Sequence, residues 1–177
     1  IQHTSAEYLG LIEDHLEGRR IRFRYSRPFA SGGRVPKAGQ LHDGLVLLGG
    51  GPWGSAGDRN VPTLIEELTL TKAALQKGLP VLGIGLGAQL LCIMAGGSVQ
   101  QTDLRFEVGE ARRVDAEALD GFLPERYPLV IYGRDRPLLP PAWVRSRSGV
   151  TAGLGGRGIA LTGLRRFAAN VLLEAAR

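Results

Sequence analysis

The chain has 177 residues, 44% of them apolar and 22% charged, which is enough for one globular domain with a substantial core. Its single cysteine excludes an intramolecular disulfide framework and a cysteine-rich zinc site, and it contains no apolar run of about 18 residues that could span a membrane. The formal charge of +5 comes from clustered arginines without a lysine-rich tail, which we interpret as a solvated basic surface and not as a nucleic-acid site.

The first quarter of the chain begins with strand, helix and strand patterns. Residues 1–3 resemble the end of a strand, which suggests that residues upstream are missing, and the apolar recurrence over residues 6–16 predicts a helix that ends at Gly18. In residues 21–25, apolar side chains alternate with arginines, so we expect a half-buried strand near a sheet edge.

The next segments predict buried strands joined by a helix. Residues 45–48 form a short apolar run that ends in a glycine loop, and the apolar spacing over residues 62–75 predicts a helix that ends before Gly78. A second buried strand follows at residues 80–84, and then a short apolar helix at residues 88–95. This alternation predicts an α/β fold, with a doubly wound, mostly parallel, flavodoxin-like sheet flanked by helices.

The second half of the chain carries weaker patterns. They predict strands at residues 108–114, 129–132, 144–146 and 159–161, and a closing helix at residues 165–176. No repeat or low-complexity segment divides the chain. We therefore expect residues 1–177 to form a single domain, which we place in the cytoplasm because no signal-peptide pattern opens the sequence.

A glycine-rich turn at residues 83–91, with the sequence GIGLGAQLL, joins a predicted strand to a predicted helix. In such an elbow the central residue, here Gly85, projects at the carboxyl end of the sheet, and flanking glycines let the backbones approach closely. The run resembles the signature GICxGAQLL of class I glutamine amidotransferases, in particular the stand-alone branch similar to the glutaminase domain of GMP synthase. Every specified position matches except the cysteine.

Further segments resemble this family in the same order. Residues 43–50 with Pro52 are similar to the strand and glycine loop that supply an oxyanion-hole amide, and residues 78–82 and 96–99 resemble the approach to the elbow and its exit. The run from Glu107 to Gly109 resembles a motif that lines the glutamine pocket. The resemblance spans nearly the whole chain and implies the family's fold.

The positions that resemble the catalytic triad depart from the family. Gly85 stands where the family has its cysteine nucleophile, and a glycine cannot attack an amide. The late QFHPE motif is matched by residues 160–164, where Thr162 replaces the histidine and Leu164 replaces the glutamate. Since no histidine follows His42, we expect a catalytically inactive member of the family, with no catalytic residue at these degenerate positions.

Two other residues could supply chemistry. Cys92 lies about two helical turns beyond the elbow in an apolar context, where we expect a buried packing residue with a raised thiol pKa. His3 could lie near the crevice at the end of the first strand, although a histidine there is more often a surface or turn residue. The three histidines lie in the first quarter without an i, i+4 pair, so we expect no metal and no cofactor.

The glycine loop and the start of the elbow helix together resemble an anion site. The amides of Leu86 and Gly87 open a helix, whose N-terminus favours negative charge. A small anionic ligand such as glutamine, glutamate or phosphate could bind there. The ligand-binding residues predicted on this basis are Gly49, Gly50, Gly51, Leu86, Gly87, Gln89 and Glu107.

Three functions remain open at this stage. The leading hypothesis is a non-enzymatic subunit, regulator or binding module that acts through a protein partner or as a homo-oligomer. An enzyme of altered chemistry could instead use the crevice at the carboxyl end of the sheet, with residues such as Glu107, Tyr132, Asp135 or Thr162. Residual glutamine amidotransferase activity through an unrecognised nucleophile ranks last.

Overall fold

The computed structural model describes residues 1–112, 126–138, 150–152 and 159–162. Three helices are described, namely α1 (Leu11–Gly18), α2 (Leu64–Gln76) and α3 (Leu86–Met94). The described strands are β1 (Leu45–Leu47), β2 (Val81–Ile84), β3 (Ser98–Arg112), β4 (Arg126–Leu138), β5 (Val150–Ala152) and β6 (Ile159–Thr162). No helix within these ranges is long and apolar enough to cross a bilayer.

The main sheet is mixed and has the strand order β1-β2-β6-β5. β1 and β2 are parallel and are connected through α2, which is the crossover unit expected of a doubly wound α/β fold. β6 runs antiparallel to both β2 and β5. The α/β class predicted from the alternating pattern is therefore present, and antiparallel strands extend the sheet beyond β2.

The core lies between this sheet and helices α2 and α3. Its buried apolar residues are Ile1, Leu45, Leu47, Leu70, Ala74, Val81, Ala88, Leu90 and Leu91. The elbow helix α3 is buried over most of its length. Most of its residues are apolar, which is typical of a helix that is enclosed on several sides. This packing holds the carboxyl ends of β1 and β2 side by side.

The N-terminal segment departs from the predicted strand, helix and strand. Residues 1–3 are extended beside β1, since the Leu48 amide donates to the Ile1 carbonyl at 3.0 Å, but they form no assigned strand. The helix starts at Leu11 and not at residue 6, because Gly10 has a φ of 56° that interrupts the helical backbone.

The predicted strand at residues 21–25 is wrong. The structure has no strand there, and most of the segment is exposed. Its aromatic side chains contact each other and the region of α1: Phe23 and Tyr25 stack edge to face with ring centroids 5.9 Å apart, and the Tyr25 hydroxyl contacts Glu13. The alternating pattern thus reflects these aromatic contacts, with arginines in solvent, and not a strand ladder.

β3 and β4 form a separate two-stranded antiparallel ribbon that is longer than the sequence patterns predict. Its register shifts between Gln101 and Arg105. The strands expected at residues 108–114 and 129–132 fall on this ribbon, except that residues 113–114 lie outside the described part. The predicted strand at residues 144–146 and helix at residues 165–176 also lie outside the described residues, whereas the predicted strand at residues 159–161 is part of β6.

Candidate functional site

The elbow between β2 and α3 has the backbone of a strained strand-to-helix turn. Gly85 has φ 55° and ψ −111°, a combination that side chains rarely adopt. A methyl group at this position would lie 3.3 Å from the Cα atom of Gly49 and would otherwise meet open space. The crevice could therefore hold a side chain at Gly85, but at a backbone cost of about 1 to 3 kcal/mol.

The glycines on either side of the elbow are needed for close packing. A methyl group at Gly83 would clash with the Gly87 carbonyl, and one at Gly87 would clash with the Leu47 carbonyl. The Gly87 amide donates to the Leu48 carbonyl at 3.3 Å, which ties α3 to the end of β1. Gly87 is thus a buried packing residue, and its amide is not available to a ligand as the sequence analysis expected.

A crevice of about 600 Å³ opens at the carboxyl ends of β1 and β2. The residues predicted for a ligand site that line it are Gly49, Gly50, Gly51, Leu86 and Gln89, and Gly85 of the elbow lines it as well. The remaining described lining comes from Ala6, Glu7, Pro52, Trp53, Arg59, Leu104, Arg134 and Asp135. The loop after β1 and the elbow after β2 therefore meet, because parallel strands end at the same edge of the sheet.

A buried His3–Glu67 pair contacts the glycine loop that follows β1. His3 Nδ1 lies 2.9 Å from the Gly49 carbonyl oxygen, and His3 Nε2 lies 2.7 Å from Glu67 Oε2. Since a carbonyl only accepts, Nδ1 is the donor to Gly49, and a hydrogen bond joins Nε2 to the Glu67 carboxyl group. Thr63 Oγ1 donates to the other oxygen of Glu67 at 2.6 Å. His3 therefore positions the loop and does not line the crevice.

Glu67 was missed by sequence reasoning, although a signal was present. It lies three residues before Leu70 and seven before Ala74, on the buried stripe of α2. A carboxylate on an apolar stripe needs a buried partner, because an unpaired charge there would be strongly destabilising. The sequence could have flagged the residue but could not name His3 as its partner.

Gln89 forms hydrogen bonds with the loop that follows Pro52. Its Oε1 accepts from both the amide of Ser55 at 3.1 Å and the hydroxyl of Ser55 at 2.7 Å. Gln89 is buried and lies one turn into α3. Its amide oxygen is thus engaged in fixing the loop after Pro52.

An ion pair forms the wall opposite the elbow. Arg59 donates to Asp135 Oδ1 at 2.6 Å, and the Asp135 carboxylate is buried. Burial raises the pKa of Asp135 above its ordinary value of 3.8, and the nearby Arg59 opposes this effect. The pKa of Asp135 is raised on balance, because the buried carboxylate loses more hydration than the charges of Arg59 and Arg134 compensate.

Glu7 brings a second carboxylate to the crevice. Its side chain lies against Gly49, so closely that a methyl group at Gly49 would clash with it. With Arg59 and Arg134, the described crevice thus holds two acidic and two basic side chains. Sequence patterns gave no signal for Glu7, Arg59 or Arg134, since none belongs to a recognisable motif.

Cys92 is buried in α3, as expected from its apolar context, and it does not line the crevice. Its thiol lies 3.4 Å from the Leu138 carbonyl oxygen, and burial raises its pKa. A thiol in such surroundings is unreactive. Among the described residues, no group of three or more histidine, cysteine, aspartate or glutamate side chains could hold a metal ion.

The family model of class I glutamine amidotransferases matches residues 27–129, more than half of the chain. The chain belongs to this family. No curated protein matches the sequence at a significant level.

Solved amidotransferases share the fold of this amidotransferase domain. A glutamine amidotransferase from Methylobacillus flagellatus superposes with a TM-score of 0.66 at 24% identity over 85% of this chain, and one from Thermotoga maritima with a TM-score of 0.65 at 24% identity over 93%. The chain spans 57% and 65% of the lengths of these two proteins. At this level of identity the likeness establishes the flavodoxin-like amidotransferase fold.

Thr162, at the position that resembles the family's histidine, does not lie at the elbow of the amidotransferase domain. Thr162 pairs with Val81, at the opposite end of β2 from Gly85. About four residues of strand, on the order of 13 Å, separate the two positions. Leu164 lies outside the described residues. Glu107 and Tyr132 are on the ribbon, opposite Ile131 and Phe106.

Proposed function

We propose that this amidotransferase domain does not hydrolyse glutamine and acts as a non-enzymatic subunit, regulator or binding module. The observation that carries the proposal is Gly85 at the elbow, where the resemblance to the family places the nucleophilic cysteine. A glycine has no group that can form an acyl intermediate.

The rest of the crevice supports the same reading. None of its described lining residues is a cysteine, serine, threonine or histidine. His3 contacts the carbonyl of the lining residue Gly49, but both of its ring nitrogens are engaged, one with this carbonyl and the other with Glu67. Thiol or hydroxyl chemistry requires a nucleophile beside a free base, and the described crevice offers neither.

A glutaminase assay tests the proposal. Purified protein is incubated with glutamine, and released glutamate is measured against a heat-inactivated sample and against an active amidotransferase as positive control. We expect no release above background. Turnover that tracks the folded protein through purification would contradict the proposal.

The Gly85→Cys variant sharpens this test. We expect it to show no useful glutaminase activity, because neither Thr162 nor Leu164 can act as the base or as the residue that orients it. A thiol reagent should label one additional cysteine in the folded variant, since Cys92 is buried. Labelling without turnover supports the proposal, whereas robust hydrolysis by this single variant would refute the assignment of the late positions.

An enzyme of altered chemistry is the second candidate, and Asp135 is the observation in its favour. It is a buried carboxyl group with a raised pKa in a crevice wall, which is a common property of functional acids and bases. If a substrate is found, Asp135→Asn should abolish its turnover while Cys92→Ser leaves it unchanged. Equal activity of both variants would remove this candidate.

A small ligand can also be tested without assuming chemistry. The amide of Leu86 at the start of α3, the glycine loop, and the guanidinium groups of Arg59 and Arg134 favour a negatively charged ligand in the crevice. A thermal-shift screen with glutamine, glutamate, phosphate and nucleotides should raise the melting temperature for at least one of them. No shift with any of these compounds would count against a retained anion site.

A further inference from the structure

The β3–β4 ribbon has an inner and an outer face. At the end of β4, Asp135 and Pro137 are buried, whereas Arg134, Arg136 and Leu138 are exposed. Since successive side chains of a strand point to opposite faces, the even-numbered residues of β4 define the outer face. The inner face contacts the domain through the Arg59–Asp135 ion pair.

The centre of the outer face is apolar and exposed. Phe106 is 76% exposed and Val108 is 77% exposed. The register pairs Phe106 and Val108 with even-numbered positions of β4, so these two side chains lie on the outer face. An exposed apolar patch of this kind marks an interaction site more often than a scattered surface residue does.

Arginines surround this apolar centre. Arg126, Arg134 and Arg136 are exposed on β4. Glu110 contributes one negative charge and lies 3.6 Å from Arg126, but both side chains are more than half exposed, so this pair has little energetic weight. The outer face therefore combines exposed apolar side chains with an excess of positive charge.

We propose that the outer face of the β3–β4 ribbon binds a protein segment that carries alternating acidic and apolar side chains. The apolar side chains of the segment would cover Phe106 and Val108, and its carboxylates would pair with Arg134 and Arg136. The inference rests on the proposed function, because it names the surface through which a non-enzymatic domain would act.

The charge of the face argues against two other occupants. A second copy of the chain in a two-fold contact would bring the same arginines together, and like charges across an interface are unfavourable. A nucleic acid would satisfy the arginines and could stack on Phe106, but it would leave the exposed aliphatic side chains of Val108 and Leu138 uncovered. A segment with both acidic and apolar groups satisfies both parts of the surface.

The face is continuous with the mouth of the crevice. Arg134 lines the crevice as well as the outer face, and Leu104, which is 48% exposed, lies at the same rim. A bound segment would thus extend towards Gly85.

Fluorescence anisotropy with short labelled peptides tests the proposal. The first probe alternates glutamate with leucine, the second replaces each glutamate with lysine, and the third replaces each leucine with serine. A single-stranded oligonucleotide is the fourth probe. We expect the glutamate–leucine peptide to bind at least roughly tenfold more tightly than the other three, and its affinity to fall as salt is added.

Four variants locate the binding. Val108→Ser and Arg136→Glu should each weaken the glutamate–leucine peptide roughly tenfold. Ile65→Ser, at an α2 residue that is 71% exposed, and Arg22→Glu, at an exposed arginine away from the ribbon, make equivalent chemical changes elsewhere and should leave it unchanged. All four positions are exposed, and urea unfolding of each variant checks that the fold is retained.

Three outcomes would overturn the proposal. They are equal binding of the glutamate and lysine peptides, preferential binding of the oligonucleotide, and wild-type affinity in both ribbon variants. A dimer in sedimentation velocity that Val108→Ser dissociates would assign the face to self-association instead. Glutamine hydrolysis by the chain would refute the non-enzymatic function without changing the peptide titration, so the two failures are distinguishable.

Discussion

The two walls of the crevice are built in different ways. The elbow wall, formed by β1, β2 and α3, is packed to backbone contact, so that a methyl group at Gly83 or Gly87 would clash. The ribbon wall presents charged side chains, Arg134 and Asp135, on an exposed two-stranded unit. Substitutions at the glycines of the elbow wall would disrupt the fold. Substitutions of the charged side chains in the ribbon wall would change the charge of the crevice instead. Close packing therefore constrains substitutions in the elbow wall more than in the ribbon wall.

The largest expected loss of stability is at His3, which contacts the glycine loop beside the elbow. His3→Ala should lower the free energy of unfolding by about 4 kcal/mol, because it leaves the buried Glu67 carboxylate without its partner. Urea denaturation measures the loss, with the exposed His15→Ala as control. The double variant His3→Ala, Glu67→Leu should recover part of the stability, and a loss equal to the sum of both single changes would show that the two residues do not act as a pair.

Gly87→Ala should be the next most harmful change. The added methyl group would clash with the Leu47 carbonyl, and we expect a loss of about 3 kcal/mol in the free energy of unfolding. Gly39→Ala is the matched control, since a methyl group there has no neighbour within 4 Å and no positive φ opposes it. If both variants were equally stable, the close packing of α3 on β1 would not be a constraint.

Gly85→Ala should cost less, about 2 kcal/mol, because the backbone strain and one 3.3 Å contact with the Gly49 Cα atom oppose the methyl group, whereas its crevice side is otherwise open. Thermal unfolding should therefore rank it between Gly87→Ala and wild type. A loss as large as that of Gly87→Ala would mean that the space beside Gly85 is filled.

The ribbon wall should show the smallest effect, visible as a pH dependence at Asp135. A raised folded-state pKa means that the folded protein binds the proton more tightly than the unfolded chain. The contribution of Asp135 to stability is therefore fully present below its ordinary pKa of 3.8 and is lost as the pH rises through the folded-state value. The stability of wild type relative to Asp135→Asn should therefore fall as the pH rises over this range. A rise instead would show that the Arg59 ion pair outweighs burial.

The candidate site was predictable where glycines determine the backbone. The run around Gly85 predicted the turn, the start of α3 and the meeting of the elbow with the Gly49 loop, since few residues other than glycine tolerate these conformations and contacts. Opposite the elbow, Asp135 was named from the sequence as a candidate crevice residue, but its ion pair with Arg59 was not predictable. Arg59 and Asp135 are 76 positions apart in the chain, and no local pattern connects them.

The sequence by itself determined the family, the β1–α2–β2–α3 unit and the glycine at the elbow, because hydrophobic period and glycine spacing are local properties of the chain. Only the tertiary structure decided that residues 21–25 form no strand, that Thr162 lies away from Gly85, and that His3 pairs with Glu67. Each of these depends on which distant segment is adjacent in space. That choice follows from the packing of the whole domain, which no short stretch of sequence contains.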